Sequence, residues 1–305
     1  MKALIGCDVD PLLPAVVERP PAGDIWEPLQ RVRKLLQETD ALPPITWLIR
    51  SDDSVRFATG DFASGYLRDI GLWQQLADLG HEIGWHMHLL SLKDAAGHFT
   101  FDPDPVWLTP AYQALARHVT VRATRTGWDY GSNVLFRKLD QLGIRIDLSA
   151  LPGSIAYLQA GTDPLVVDWL RCPAEPYFPC ADDYQGRGQP ALRMLEVPVT
   201  QFQNSPVGIL RRLAGRLRQG VFDLRGLHSK SHTLTARWNH LPRTPGGAYV
   251  FYFHPEELAG EGMHNLIRNV ALLRQTAGAE FVTASQFLQG FIDGAGTPTD
   301  HDRSA

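Results

Sequence analysis

The sequence predicts an α/β barrel of alternating strands and helices. Eight short apolar, β-branched runs recur along the 305 residues, and helical patterns separate them. A chain of this length can form one large barrel domain. The predicted strands are Ala3–Cys7, Thr46–Ile49, Glu82–Trp85, Val121–Thr124, Ile144–Leu148, Met194–Val199, Tyr249–Phe253 and Phe281–Thr283.

Helical spacing of apolar residues predicts helices between several of these strands. Glycines follow three of the segments and indicate helix ends, because glycine adopts the left-handed conformation common there. The predicted helices cover residues 28–38, 71–79, 133–142 and 263–277, with Gly80, Gly143 and Gly278 as the stops.

Two segments interrupt this alternation. Residues 150–193 are rich in proline, glycine and aromatics. Residues 205–247 contain eight Arg and Lys residues, from Arg211 to Arg243. We expect both to be insertions or long loops at the mouth of the barrel. Residues 1–293 are expected to form a single domain, and residues 294–305, which are small and polar, a disordered tail.

The composition excludes several classes of protein. A net charge of −4 gives no general reason to expect nucleic-acid binding. The chain lacks an apolar run long enough to span a membrane and lacks the pattern of a secretory leader. Its three cysteines show no paired zinc-site spacing, so we expect reduced thiols and a cytoplasmic location.

Titratable side chains cluster at the ends of the predicted strands. Asp8 and Asp10 end the first strand, and His86 and His88 end the third, each pair spaced so that both members point to one side. In a parallel barrel the carboxyl ends of strands converge at one mouth, which is where functional groups are found. Further candidates at or near strand ends are Asp52, Arg125, Trp128, Asp147 and His254.

Carboxylate and imidazole ligands without sulfur predict a catalytic divalent ion that keeps one position open for water. Zinc is favoured, and other divalent transition metals are alternatives. Each motif alone also has a structural explanation: Asp8 and Asp10 could cap a helix, and His254 could be a hydrogen-bonded core histidine. The occurrence of all these groups at strand ends favours a catalytic site over separate structural roles.

The ordered motifs resemble those of the polysaccharide deacetylases with the NodB-homology domain, carbohydrate esterase family 4. The resemblance covers nearly the whole chain, and its most specific parts are the motifs at Gly80–His86 and Phe253–Glu256. The motifs are Asp8-Val9-Asp10, Gly80-His81-Glu82-Ile83-Gly84-Trp85-His86, Arg125-Thr126-Gly127-Trp128, Asp147-Leu148-Ser149 and Phe253-His254-Pro255-Glu256.

This resemblance implies a distorted (β/α)7–8 barrel of the glycoside hydrolase and deacetylase type, which removes an acyl group from an N-acyl sugar with one divalent metal. It implies that Asp8 is the general base, Asp10 and His86 are metal ligands, Arg125 orients the base and His254 is the general acid. Residues 175–179 resemble a loop that lines the substrate groove, which makes Tyr177 a substrate-binding candidate together with Asp52, Trp128 and Asp147.

The chain departs from the family pattern at the second metal histidine. The common pattern places it four residues after the first, where this chain has Leu90. His88 is the nearby substitute, because it points to the same side as His86 on an extended strand. Asp52 is the alternative ligand.

The expected substrate is an N-acyl amino sugar, as a nucleotide- or lipid-linked cytoplasmic precursor of a surface polysaccharide. Trp85, Trp128 and Trp169 lie near predicted mouth positions, where they could stack on sugar rings or pack in the core. The segment Arg211–Arg218 has leucines on one face and arginines beside them, the pattern of a helix at a membrane interface or of one packed on its own barrel.

Two other functions stay open at this point. A metal-dependent phosphoesterase or amidohydrolase of another barrel family would also use an HxH pair, although there it usually ends the first strand. A non-catalytic carbohydrate-binding relative would explain Leu90, but would have no use for Asp8, Arg125 and His254.

Overall fold

A computed structural model describes residues 1–13, 23–39, 42–160, 163–200 and 248–294. Its main sheet has eight strands, all paired in parallel. Numbered along the chain, they are β1 (Lys2–Val9), β2 (Thr46–Arg50), β3 (Glu82–Met87), β6 (Ala123–Thr126), β7 (Ile146–Asp147), β12 (Leu195–Glu196), β13 (Ala248–Phe253) and β14 (Glu280–Phe281). The predicted α/β class and all eight predicted strands are confirmed.

The sheet is curled, and its two ends approach each other. The strand order is β12-β7-β6-β3-β2-β1-β13, with β14 beside β1. Just beyond β12, the Thr200 amide donates to the Val250 carbonyl oxygen at 3.3 Å, and the Val250 amide donates to Thr200 Oγ1 at 2.9 Å. Hydrogen bonds between the segment that follows β12 and strand β13 therefore join the two ends of the curled sheet at this point.

Alternation along the strands divides the apolar residues between two cores. On β1, Ala3, Ile5 and Cys7 face the helices, whereas Leu4 faces the barrel interior. The interior core is built mainly from Leu4, Leu48, Ile146, Leu195, Val199 and Val250. The same alternation directs Asp8, four residues after Leu4, inward at the mouth.

Helices cover the outer face of the sheet. Their bounds are α1 (Pro28–Glu38), α2 (Asp53–Thr59), α3 (Ser64–Leu67), α4 (Ile70–Asp78), α5 (Leu108–Ala116), α6 (Asn133–Leu142), α7 (Gly262–Ala277) and α8 (Ala284–Gly294). The four predicted helices correspond to α1, α4, α6 and α7. Helix α6 is capped at its N-terminus by Ser132, whose hydroxyl accepts the Leu135 amide at 3.2 Å, and at its C-terminus by Gly143, whose φ is 90°.

Three antiparallel hairpins lie outside the main sheet. The expected loop at residues 150–193 in fact contains two of them, and a third follows β3. They are formed by β4 (Leu90–Leu92) with β5 (Phe99–Phe101), β8 (Ile155–Ala160) with β9 (Asp163–Asp168), and β10 (Pro179–Cys180) with β11 (Asp183–Arg187). The predicted basic insertion 205–247, with Arg211–Arg218, lies outside the described residues, as does the predicted tail after Gly294.

The three cysteines are free thiols. Among the residues that the structure describes, no helix combines the length and apolar character needed to cross a bilayer.

His81 lies at the end of β3 opposite the mouth and has a structural role. Its Nδ1 accepts the Ile45 amide at 3.0 Å, and its ring packs edge-on against Trp47, with centroids 6.0 Å apart. Burial lowers the pKa of His81 to about 4. The neutral ring is therefore the form that the fold accommodates.

His81 should make stability depend on pH. Its pKa is depressed below the unfolded value of about 6.5, so the unfolded chain binds the proton first and the free energy of unfolding falls as pH drops from 6.5 to 4. We expect His81→Asn, which keeps an acceptor near the Nδ1 position, to lose about 2 kcal/mol less than wild type between pH 7 and 4. Urea denaturation at a series of pH values measures this difference, and parallel curves for the two proteins would contradict it.

Candidate active site

A cavity of about 220 Å³ opens at the carboxyl ends of β1, β3, β6 and β13. Four of its ten lining residues are inward-facing positions of these strands, and the other six follow directly after the strand ends, as expected for a parallel barrel. Its lining consists of Asp8, Asp10, His86, His88, Arg125, Gly127, Trp128, Asp129, Tyr252 and His254. The structure thus brings together the predicted base, acid, orienting arginine and metal ligands.

Asp8 and Arg125 form a buried ion pair inside the mouth. Arg125 Nη1 donates to Asp8 Oδ2, and Nη2 donates to the carboxylate of Asp129. The guanidinium carbon also lies 3.5 Å from the centre of the Tyr252 ring. Asp8 Oδ1 is buried and accepts no hydrogen bond within the described part of the chain. One carboxylate oxygen of Asp8 is held and the other is left to accept a proton.

His86 is oriented by a backbone carbonyl. Its Nδ1 lies 2.7 Å from the Arg125 carbonyl oxygen. A carbonyl oxygen only accepts, so Nδ1 carries the hydrogen and the neutral ring presents the Nε2 lone pair. Burial lowers the pKa of His86, which favours this neutral form. Nε2 is itself buried without a hydrogen-bond partner among the described residues and lies 3.6 Å from Asp10 Oδ1.

His88 completes a group of three ligand atoms. Its Nε2 lies 3.7 Å from Asp10 Oδ1, and the ligand atoms of Asp10, His86 and His88 all lie within 4.8 Å of one another. Burial lowers the pKa of His88 well below its ordinary value, and the charge of Arg50 adds to this. Three ligand atoms this close together can hold a single divalent ion.

His254 stands across the cavity from the two histidines of β3. Its Nε2 lies 3.8 Å from Asp8 Oδ2 and 3.7 Å from Asp10 Oδ2. The side chain is 25% exposed, compared with 2% for His86. Glu257 contacts His254 on the side away from the cavity. Its carboxylate accepts a hydrogen bond from the His254 amide at 2.8 Å and lies 3.7 Å from Nδ1. His254 is therefore placed to exchange a proton with a bound molecule.

Asp52 has a supporting position instead of a place in the cavity wall. It is fully buried and caps α2, accepting the Ser54 and Val55 amides at 3.0 and 3.1 Å. Its other oxygen accepts Arg50 Nε at 2.7 Å and the His88 amide at 3.0 Å. Asp52 therefore holds the backbone of a metal-ligand candidate.

Asp147 and Tyr177 lie behind the mouth, and neither lines the cavity. Asp147 is fully buried, accepts the Ser149 amide at 2.9 Å and pairs in register with Glu196 of β12. Burial raises the pKa of both carboxyls. The Tyr177 hydroxyl donates to the Tyr184 carbonyl oxygen at 2.8 Å.

Only one of the three candidate tryptophans lines the cavity. Trp128 lies in its wall with its ring edge-on to His88. Trp85 and Trp169 are completely buried, and their indole nitrogens donate to the carbonyl oxygens of Ser51 and Asp129 at 2.9 and 2.7 Å. These two serve as core residues.

Sequence reasoning missed Gly127, Asp129 and Tyr252 in the wall. Trp128 and Asp129 both have left-handed backbone angles, with φ of 57° and 59°. Such a turn follows no strand periodicity and is therefore hard to predict from sequence. The position of Asp129, four residues after Arg125, was an available signal for an ion pair. Tyr252 immediately precedes Phe253 in the last motif, at an inward position of β13.

No protein-family model matches this chain, and no curated protein matches it. Among solved structures, a candidate polysaccharide deacetylase from Mycobacterium smegmatis superposes with a TM-score of 0.50 at 17% identity, over 89% of this chain and 79% of that one. This chain has that fold. A 4-alpha-glucanotransferase from Thermococcus litoralis also gives 0.50, at 12% identity, over 95% of this chain and 40% of that one. The predicted barrel type is confirmed. The reaction has to be inferred from the residues of the site, because these similarities concern the fold.

The purified protein should bind one Zn²⁺ ion per chain. Removing a ligand by His86→Ala or His88→Ala should weaken binding by at least about 100-fold, more than the loss of an outer partner typically costs. His98→Ala is the matched control, because His98 is exposed and pairs with Asp94 at 2.9 Å. Competition with a chromogenic chelator measures the affinities. Equal affinity in all four proteins would contradict the assigned ligands.

Proposed function

We propose that this protein is a metal-dependent hydrolase that removes an N-acyl group, acetyl or formyl, from an amino sugar. The observation that carries the proposal is the convergence in one cavity of a group of three candidate ligands, a partly exposed histidine, and a buried carboxylate with one oxygen that accepts no hydrogen bond from the described residues. Amide hydrolysis needs an activated water, a base for its proton and an acid for the leaving amine, and the cavity offers a group for each.

Asp10, His86 and His88 would hold the ion. A divalent ion there would lower the pKa of water towards roughly 7 and polarise the acyl carbonyl. The two imidazoles favour zinc, although other divalent transition metals accept the same ligands. Both rings are kept neutral by burial, which is the form that coordinates a metal.

Asp8 would accept the proton of the attacking water at Oδ1. Arg125 pairs with Oδ2 of Asp8, so Oδ1 stays available to the attacking water. Asp129 and the Tyr252 ring hold Arg125 from its other sides, which limits the motion of the base. Fixing a base within hydrogen-bond reach of its proton is a main requirement of general base catalysis.

His254 would donate a proton to the departing amine. Its Nε2 faces the carboxylates of Asp8 and Asp10, on the side of the cavity where the proposed base and ion would act. Glu257 beside Nδ1 favours the orientation in which Nε2 points into the cavity. His254 lies on the solvent side, where a released amine would leave. Trp128 provides an aromatic surface in the cavity wall for the sugar ring.

A nucleotide- or lipid-linked amino sugar in the cytoplasm is the proposed form of the substrate. Support comes from the sequence alone: arginines concentrated in residues 205–247 can bind phosphate groups, and the thiols are unpaired. Peripheral membrane contact through Arg211–Arg218 would place the enzyme near a lipid carrier.

Asp8→Asn and His254→Ala should each lower turnover by about 10²- to 10⁴-fold, because each removes one proton transfer. Release of free amine from UDP-N-acetylglucosamine and free N-acetylglucosamine, and from their N-formyl counterparts, measures the reaction with Zn²⁺ present. The matched controls are Asp78→Asn and His264→Ala, at exposed helix positions. They should keep wild-type turnover.

Unchanged turnover in Asp8→Asn would exclude Asp8 as the base. A wild-type protein that binds Zn²⁺ but releases no amine from any N-acyl amino sugar would contradict the hydrolase assignment.

The carrier proposal makes a separate prediction. The nucleotide-linked sugar should have a higher kcat/KM than the free sugar by about 10-fold or more, because remote contacts contribute binding energy. Arg211→Glu with Arg212→Glu should reduce that preference and leave turnover of the free sugar unchanged. Equal kcat/KM for the linked and free sugars would contradict the carrier proposal alone.

A further inference from the structure

The ring of His88 lies directly over Gly127, which is part of the turn after β6. A methyl group added to Gly127 would be 2.4 Å from Cδ2 of His88, 2.5 Å from Cγ and 2.7 Å from Nε2. Carbon atoms that are not bonded prefer separations of about 3.5 to 4.0 Å. The imidazole therefore occupies the space that any other side chain at position 127 would fill.

Backbone conformation does not explain a glycine here. The φ angle of Gly127 lies outside the left-handed region, unlike that of Trp128 and Asp129, which follow it. Alanine could adopt the same backbone angles without strain. The contact with His88 is thus the particular reason why position 127 requires the absence of a side chain.

His88 cannot move aside easily, because it is held from three other directions. Its backbone amide donates to Asp52 Oδ2 at 3.0 Å. Its ring meets Trp128 edge-on with centroids 4.4 Å apart, and meets His86 in the same manner at 5.0 Å. A side chain at position 127 would displace the ring against these contacts and move Nε2 relative to Asp10.

We propose that Gly127 is a positioning residue for metal binding: it provides the space that allows a histidine two residues after His86 to serve as the third ligand. This inference rests on the proposed metal site and adds to it the feature that permits the short ligand spacing. Gly127 would not touch the ion, and its effect would pass through the ring of His88.

The test measures Zn²⁺ affinity in wild type, Gly127→Ala, His88→Ala and the double variant. We expect Gly127→Ala to weaken Zn²⁺ binding by about 10- to 100-fold, the range typical for groups that orient a ligand. In the His88→Ala background the added methyl group meets no ring, so it should have no further effect on affinity or on thermal stability. Gly71→Ala, at a helix position with nothing within 4 Å, is the matched control and should bind like wild type.

The outcomes separate this inference from the proposed function. If wild type binds no stoichiometric Zn²⁺, the metal-dependent function fails. If wild type binds and Gly127→Ala binds equally well, the positioning role fails while the function stands. An equal loss in both backgrounds would show general damage to the turn and overturn the inference. If Gly127→Ala fails to fold, recovery of folding in the double variant supports the clash with His88, and failure of both variants to fold overturns it.

Discussion

The buried ion pair between Arg125 and Asp8 joins two strands that are not neighbours in the sheet. Strands β2 and β3 separate β1 from β6, and three strand spacings amount to about 14 Å, more than the two side chains can span. Only the curl of the sheet brings them into contact. A buried carboxylate without a partner is costly, so the curl of the sheet gives Asp8 the partner that its burial requires.

Arg125 also connects the proposed base to the proposed metal ligands. Its carbonyl oxygen fixes the tautomer of His86 while its guanidinium holds Asp8. Around the mouth, four ion-paired carboxylates face two arginines: Asp10 and Asp52 pair with Arg50, and Asp8 and Asp129 pair with Arg125. These six side chains carry four negative and two positive charges, a sum of −2. A divalent cation would balance that sum, which agrees with the proposed metal site.

The sequence was sufficient to predict the site residues at strand ends, but not the residues that hold them in place. Asp8, His86 and His254 could be predicted because parallel strands carry their carboxyl ends to one edge, whatever the detailed packing. Asp147 ends a strand too, but it turns towards Glu196 and is buried behind the mouth, since facing direction depends on register and curl. Asp129 sits in a left-handed turn without periodicity, so only the tertiary contact with Arg125 reveals its role.

Backbone conformation explains why His88, and not residue 90, lies beside His86. In an extended strand, residues two apart share a side and lie about 7 Å apart, whereas residues four apart are about 13 Å apart and reach one ion only if the chain turns between them. Here the chain stays extended through Met87 and has entered the β4–β5 hairpin at Leu90, opposite Phe101. His88 is therefore the residue that this strand end can offer beside His86, and a glycine on the turn after β6 leaves room for its ring.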